Sequence, residues 1–289
     1  METTLSKNAV TRRARDRPVV VLLHASAGSS RQWSELTEAL APSFDVHAID
    51  LHGHGAQPAW HGPAPLSLVH EVQLLAPLLR DAGRVHVVGH SYGGAVALQL
   101  AVSHPGAVAS IAAFEPMVYH WLMDATSPAL DAQVSDPARS ALTLAGAAHV
   151  TAEALLRGAC HEAGRVFVDY WSGMGTWELL PPAQREAIAG RMRSVHQQFG
   201  AVLRAGFGRA QVARVPAPML LMSGEHSVPV GRHVAAQLRA ALPQAEHVTL
   251  PGMGHMGPVT HARAVNRRIV RFLHEQRDAA PLQPLAECA

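Results

Sequence analysis

Short apolar runs alternate with stretches of helical periodicity over most of the chain. Val19-Val20-Val21-Leu22-Leu23 is β-branched, too short for a helix and without a polar face, which predicts a strand buried on both sides. A helical pattern through Trp33, Leu36 and Leu40 follows, with Ser29 or Ser30 placed to cap it. Residues 46–50 form the next strand-like run. Residues 66–79 then read as one amphipathic helix with Val69, Val72, Leu75 and Leu79 on its apolar face. A further strand at 85–88, a small-residue helix at 94–104 and a strand at 108–114 continue the rhythm, which stops at Glu115-Pro116.

From 117 to about 213 no strand pattern recurs. Helical stretches with turn signals between them take over, one carrying Ala163, Val166, Phe167, Tyr170 and Trp171 at helical spacing, another opening at Pro182. Strand rhythm returns at 219–222, a helix runs through Val234, Leu238 and Leu242, and a last strand at 247–250 precedes an amphipathic helix at about 262–276. Strand-helix alternation of this kind predicts an α/β fold, a mostly parallel doubly wound sheet with helices on both faces and ligands outside the carboxyl ends of the strands. The expected division is an arm at 1–17, a core at 18–116 and 213–280, a helical cap at 117–212 and a loose tail at 281–289.

Composition narrows the function classes. Of 289 residues, 48% are hydrophobic and 16% charged, which suits a globular protein with one large core. The net charge is +2 and the basic residues are spread out, so nucleic acid is not an expected partner. The Arg12-Arg13-Arg15-Arg17 cluster has no apolar segment beside it, and no stretch has the length of a membrane span; neither a secretory signal nor a membrane partner is expected. Cys160 and Cys288 do not suggest a disulfide framework, and the cytoplasm is the expected compartment. The nineteen histidines are scattered without zinc-ligand spacing, so no metal is expected.

The chemistry concentrates at Gly89-His90-Ser91-Tyr92-Gly93-Gly94, a G-x-S-x-G pattern between a predicted strand and a predicted helix. A turn tight enough to raise a serine above the sheet needs small flanking residues, and the helix that follows points its positive end at Ser91. The alternative is a Gly-rich strand-to-helix turn without chemistry. A serine hydroxyl becomes a nucleophile only when a base takes its proton, and histidine suits that role near neutral pH. His255 stands in a Gly-rich loop, Gly252-Met253-Gly254-His255, after the last predicted strand, where an ordinary surface-loop histidine is the competing reading.

Four landmarks in one order give the chain its resemblance: the strand ending in His24, the Asp50-Leu51-His52-Gly53-His54-Gly55 turn, the serine turn and the His255 loop. Over about residues 18–276 it resembles an α/β-hydrolase with a helical cap. The resemblance implies Ser91 as nucleophile, His255 as base, and an oxyanion hole from the backbone N–H groups of Tyr92 and Ser26, with Ala25 standing where the family usually has glycine. It implies no cofactor. Asp50 to Gly55 is expected to shape a turn, and His90 to pack. Family members usually carry two more strands at the amino end, which 1–17 does not resemble. The strand at 46–50 then becomes a sheet edge, to be covered by the leader or by a second copy in a homodimer.

The orienting acid departs from the family pattern, because Ser227 stands where an aspartate is expected. Glu115 and Glu225 are the two candidates. Some relatives draw the acid from the strand after the nucleophile strand, where Glu115 lies; its alternative role is to anchor the start of the cap. The implied activity is a serine hydrolase acting on a small apolar carboxylic ester, thioester or lactone. Hydrolysis of a carbon–carbon bond in a diketone, and a non-catalytic ligand-binding protein on the same fold, are the alternatives. A serine at the elbow, where epoxide hydrolases and haloalkane dehalogenases carry aspartate, argues against those two activities.

Overall fold

The computed structural model describes residues 17–123 and 137–278. Six strands form one sheet: β1 (Val19–Leu23), β2 (Asp45–Ile49), β3 (Val85–His90), β4 (Val108–Phe114), β5 (Met219–Gly224) and β6 (Glu246–Leu250). Their order is β2-β1-β3-β4-β5-β6, and every neighbouring pair is parallel. Because side chains alternate along a strand, each strand feeds two cores. Val21, Leu23, Val87, Ile111 and Leu221 face helices Leu68–Gln73, Tyr92–Ser103 and Pro229–Ala241. Val20, Leu22, Val88, Ala112 and Leu220 face helices Ser34–Leu40 and Ala262–Asp278. This double burial explains why β1, β3 and β5 are apolar runs and not alternating ones.

Two local expectations differ from what is observed. The apolar face at 66–79 belongs to two helices, Leu68–Gln73 and Ala76–Ala82, and Val69 is 47% exposed. Pro77 is the cause: it has no N–H, and its ring would collide with the Gln73 carbonyl of a continuous helix. Neither Ser29 nor Ser30 caps the turn after β1 through its side chain. The Asp50 carboxylate does that work, accepting the Ser30 N–H at 2.7 Å and the Ala56 N–H at 2.9 Å.

Between β4 and β5 come helices Pro137–Leu156, Cys160–Ser172, Thr176–Leu179, Pro182–Ala189, Met192–Leu203 and Arg209–Ala213. They bury a cluster of their own around Trp177, Met192 and Val195. Among the described residues strand β2 is one edge of the sheet and β6 the other; residues 1–16, expected to bear on β2, lie outside the described residues, as do 124–136 of the expected cap and the tail from 279. Among the described residues no helix is long and apolar enough to cross a membrane.

Candidate active site

Ser91 sits between the last residue of β3 and the first residue of helix Tyr92–Ser103, with φ of 54° and ψ of −114°. A non-glycine residue holds such a backbone only under strain, so the surroundings must impose it. The Ser91 N–H donates to the Phe114 carbonyl at 2.9 Å, and the Ser91 carbonyl accepts the Met117 N–H at 3.0 Å. Close approach demands glycine beside it: a Cβ on Gly93 would lie 2.4 Å from the Leu23 carbonyl oxygen.

The Ser91 hydroxyl reaches His255 Nε2 at 2.9 Å, and His255 Nδ1 reaches Glu115 Oε2 at 2.6 Å. With Nδ1 protonated toward the carboxylate, Nε2 is the acceptor and Ser91 the donor. The structure therefore brings Ser91, His255 and Glu115 into one hydrogen-bonded line, all three buried. Glu115 begins the loop after β4 with φ of 43°, a second strained position. Its other oxygen accepts the Gly224 N–H at 2.8 Å and the Ser227 hydroxyl. Burial alone would raise the Glu115 pKa, but His255, Ser227 and the Gly224 N–H together hold it below the ordinary glutamate value. Glu225 is not brought to this line. Its carboxylate is half-exposed and accepts the Gly252 N–H at 2.9 Å.

His255 is held from two further sides. The Trp171 ring lies over its imidazole with centroids 4.2 Å apart. His90 Nε2 donates to the His255 carbonyl at 2.9 Å, and His90 Nδ1 accepts from the Gln32 amide at 3.1 Å. Burial drives the His90 pKa well below the usual histidine value, so the ring is neutral and can serve as acceptor and donor at once. His90 thus packs, as expected, and also braces the backbone of His255.

The loop after β1 faces Ser91. Its positive φ, 60°, falls on Ala27, not on Ala25, so the alanine in the family's glycine position imposes no strain. The turn closes through Gly28 N–H to the Ala25 carbonyl at 3.0 Å, and the Ser26 N–H donates to no other described residue. Tyr92 is the first helical residue, so its N–H has no partner within the helix. Ser26 and Tyr92 border the same cavity as Ser91 and His255.

Sequence reasoning missed what supports this loop. His54 Nε2 accepts the Ala27 N–H at 3.1 Å, while its Nδ1 donates to the His52 carbonyl at 2.9 Å. His52 Nδ1 lies 2.8 Å from Glu71, whose other oxygen accepts the Tyr92 hydroxyl at 3.0 Å. The 50–55 turn, expected only to shape the chain, therefore connects Ala27 to Tyr92 through buried polar groups. From the inserted helices, Gln198 accepts the Ser26 hydroxyl at 2.6 Å and Arg191 donates to the Ala27 carbonyl at 2.8 Å. The adjacent His52 and His54 were the visible signal for one half of this network; nothing local marks Gln198.

The cavity over Ser91 measures about 340 Å³. Met117, Tyr119, Phe167, Trp171, Phe199 and Val202 are among the residues of its apolar wall. Of the other aromatic residues between β4 and β5, Trp121 packs edge-on to Phe207 and Trp177 lies inside the inserted helices' own cluster.

The family model for the alpha/beta hydrolase family matches residues 20–268. A putative carbamate hydrolase RutD of Pseudomonas savastanoi pv. phaseolicola is 28% identical over 271 residues, covering 90% of this chain and 95% of that protein. A pimeloyl-[acyl-carrier protein] methyl ester esterase of Yersinia pseudotuberculosis is 26% identical over 263 residues, covering 89% and 94%. The crystal structure of a hydrolase from Pseudomonas aeruginosa superposes with a TM-score of 0.69 at 23% identity, over 89% of this chain and 90% of that one. With a parallel sheet of this order and a family match spanning nearly all of the described residues, the chain belongs to the alpha/beta hydrolase family.

Proposed function

We propose that the protein is a serine hydrolase that cleaves a carboxylic ester, thioester or lactone through an acyl-enzyme, with the inserted helices as its cap. The observation that carries this reading is the continuous line from Ser91 Oγ to His255 to Glu115, at 2.9 and 2.6 Å, beneath a largely apolar cavity. Ser91 Oγ bonds to the acyl carbon while its proton passes to His255 Nε2. The oxyanion that forms is held by the Ser26 and Tyr92 N–H groups. The imidazolium then gives its proton to the leaving oxygen or sulfur as that bond breaks. Water, deprotonated by His255, attacks the acyl carbon, and Ser91 leaves with the proton returned. Glu115 fixes the imidazole tautomer and stabilises the imidazolium. These steps call on no cofactor.

Support also comes from two relatives that align over nearly their whole length and carry the names carbamate hydrolase and methyl ester esterase. The test is a fluorophosphonate label together with a screen of esters, lactones and diketones of graded length. Wild-type protein should be labelled at Ser91, and Ser91→Ala should lose a factor of ~10⁶ in turnover, as when a triad nucleophile is removed elsewhere. Wild-type turnover by Ser91→Ala would end the reading.

A further inference from the structure

Among the described residues, the charged side chains that border the cavity in front of His255 are of one sign. Arg31, just after the loop that follows β1, and Arg191, from the inserted helices, both line it, and among the described residues no aspartate or glutamate does. Glu115 is shut behind His255. Among the described residues neither arginine has a carboxylate within 4.0 Å, although other arginines of this protein do: Arg157, Arg185 and Arg271 each hold a glutamate.

Arg191 is also fixed in place. One of its nitrogens donates to the Ala27 carbonyl, which leaves the other N–H groups of a planar fork suited to a carboxylate or phosphate. Its charge is felt inside the site, where it adds to the burial that lowers the pKa of His24 and of His54. Two residues of chain span at most about 7 Å, so with the 2.8 Å bond to Ala27 the Arg191 nitrogen lies within about 10 Å of the Ser26 N–H. A cation within that distance of the Ser26 N–H is in reach of a charged group at the far end of a small substrate.

Resting on the serine-hydrolase reading, we infer that the substrate is a small anionic ester, one molecule carrying both the scissile acyl group and a carboxylate or phosphate that pairs with Arg191 and Arg31. The apolar wall takes the spacer between them. A neutral ester of equal length leaves the two guanidinium groups without a partner and binds more weakly. The inference selects for substrate charge, a property that neither the Ser91-His255-Glu115 line nor the apolar wall would impose.

The experiment compares kcat/KM for monomethyl dicarboxylates, methyl esters bearing a terminal phosphate, and uncharged methyl esters of matched length. Expected is a preference of tenfold or more for one anionic series, weakening as salt is raised. In the Arg31→Met/Arg191→Met double variant the ratio of anionic to neutral kcat/KM should fall to near one. The ratio is the readout because loss of the Ala27 contact slows both substrates alike. A preference confined to one anionic series names the source of the anion. Neutral esters turned over as well as both anionic series would overturn the inference and leave the hydrolase reading standing. Calorimetric binding of adipate and of inorganic phosphate to Ser91→Ala separates the two claims. An anion bound there, and weakened tenfold by the arginine changes, supports the site even if no ester is cleaved; that combination would count against the hydrolase reading alone. No binding to Ser91→Ala, together with no charge preference, rejects the anion site.

Discussion

The Ser227 hydroxyl donates a hydrogen bond to Oε1 of Glu115, across 112 residues of sequence. Ser227 stands where the family pattern expects the acid, and here it holds a carboxylate supplied from the loop just after the neighbouring strand, β4. The bond goes to the ionised form of a buried carboxyl, and it helps to keep the Glu115 pKa low. Ser227→Ala leaves Oε1 with the Gly224 N–H alone, so the pKa rises. A hydrogen bond to a charged group contributes about 1.5–3 kcal/mol, which sets the expected loss in kcat at roughly 10- to 100-fold. The acid limb of the kcat/KM profile should move to higher pH. An unmoved profile would reduce Ser227 to a space-filling residue.

The assignment of the acid can be tested by exchanging each carboxylate for its amide. Glu115→Gln removes the charge that faces the imidazolium and should cost ~10⁴ in turnover, by analogy with the same exchange in a related triad. Glu225→Gln alters a half-exposed side chain bonded to the Gly252 N–H and should cost less than about tenfold, the usual scale for a surface change. Circular dichroism and denaturant midpoints of both variants establish that rates are compared between folded proteins. If Glu225→Gln proved the crippling change, the acid would have to be reassigned.

Much of this architecture is legible locally. A strand buried on both faces has to be an apolar run, and a serine turn pressed against β1 has to be flanked by glycine, so β1, β3 and the elbow are plain from residue types alone. Pro77 was equally visible, but Leu75 and Leu79 continue the apolar period across it and hide the break. The polar partners are a different matter. Which side chain meets the Ser26 hydroxyl depends on how a helix 172 residues away is seated, and no periodicity encodes that. Trp171 reads as one residue of an apolar helix face; only the placement of that helix lays its ring on His255. Ser227 departs from the family pattern, and its partner, Glu115, comes from the loop that follows a different strand.

Acid should unfold the protein in a defined window. Burial lowers the pKa of His24, His54 and His86 to about 4, and drives that of His90 well below the ordinary value of 6.5. The folded state keeps these rings neutral between about pH 4 and 6.5, whereas the unfolded chain binds protons there. Stability therefore rises with pH through that window and is lost as pH falls through it, by up to about 1.4 kcal/mol per pH unit for each ring. Glu115, whose pKa is lowered, adds a loss of the same sign at lower pH. Urea midpoints at pH 7.5, 6 and 5 should fall steeply and progressively. A flat midpoint across those values would mean that the rings are solvated or charged in the folded protein.

The Gln198–Ser26 bond predicts that the inserted helices govern the rate through the oxyanion loop. Gln198 lies on helix Met192–Leu203, is almost fully buried, and accepts from the Ser26 hydroxyl. Its amide nitrogen is 3.4 Å from His54 Nδ1, but that nitrogen already spends its proton on the His52 carbonyl, so the contact with Gln198 is not a hydrogen bond. The Ser26 bond is then the link that matters. It acts on the side chain of a residue whose N–H is proposed to meet the oxyanion, a group that carries full charge only after attack begins. Gln198→Met keeps the length and bulk of the side chain and deletes the acceptor. The loop stays tethered by Arg191 and His54, so the fold should persist with a stability change of about 1 kcal/mol, the typical worth of one hydrogen bond. If the bond aligns the Ser26 N–H, kcat should fall roughly 10-fold or more while KM for a small ester stays within about twofold, since an interaction made only in the transition state appears in kcat. Gln198→Glu restores an acceptor at the same reach and should recover part of the loss. A rise in KM at constant kcat would instead make Gln198 a wall of the cavity and leave the oxyanion loop independent of the helices above it.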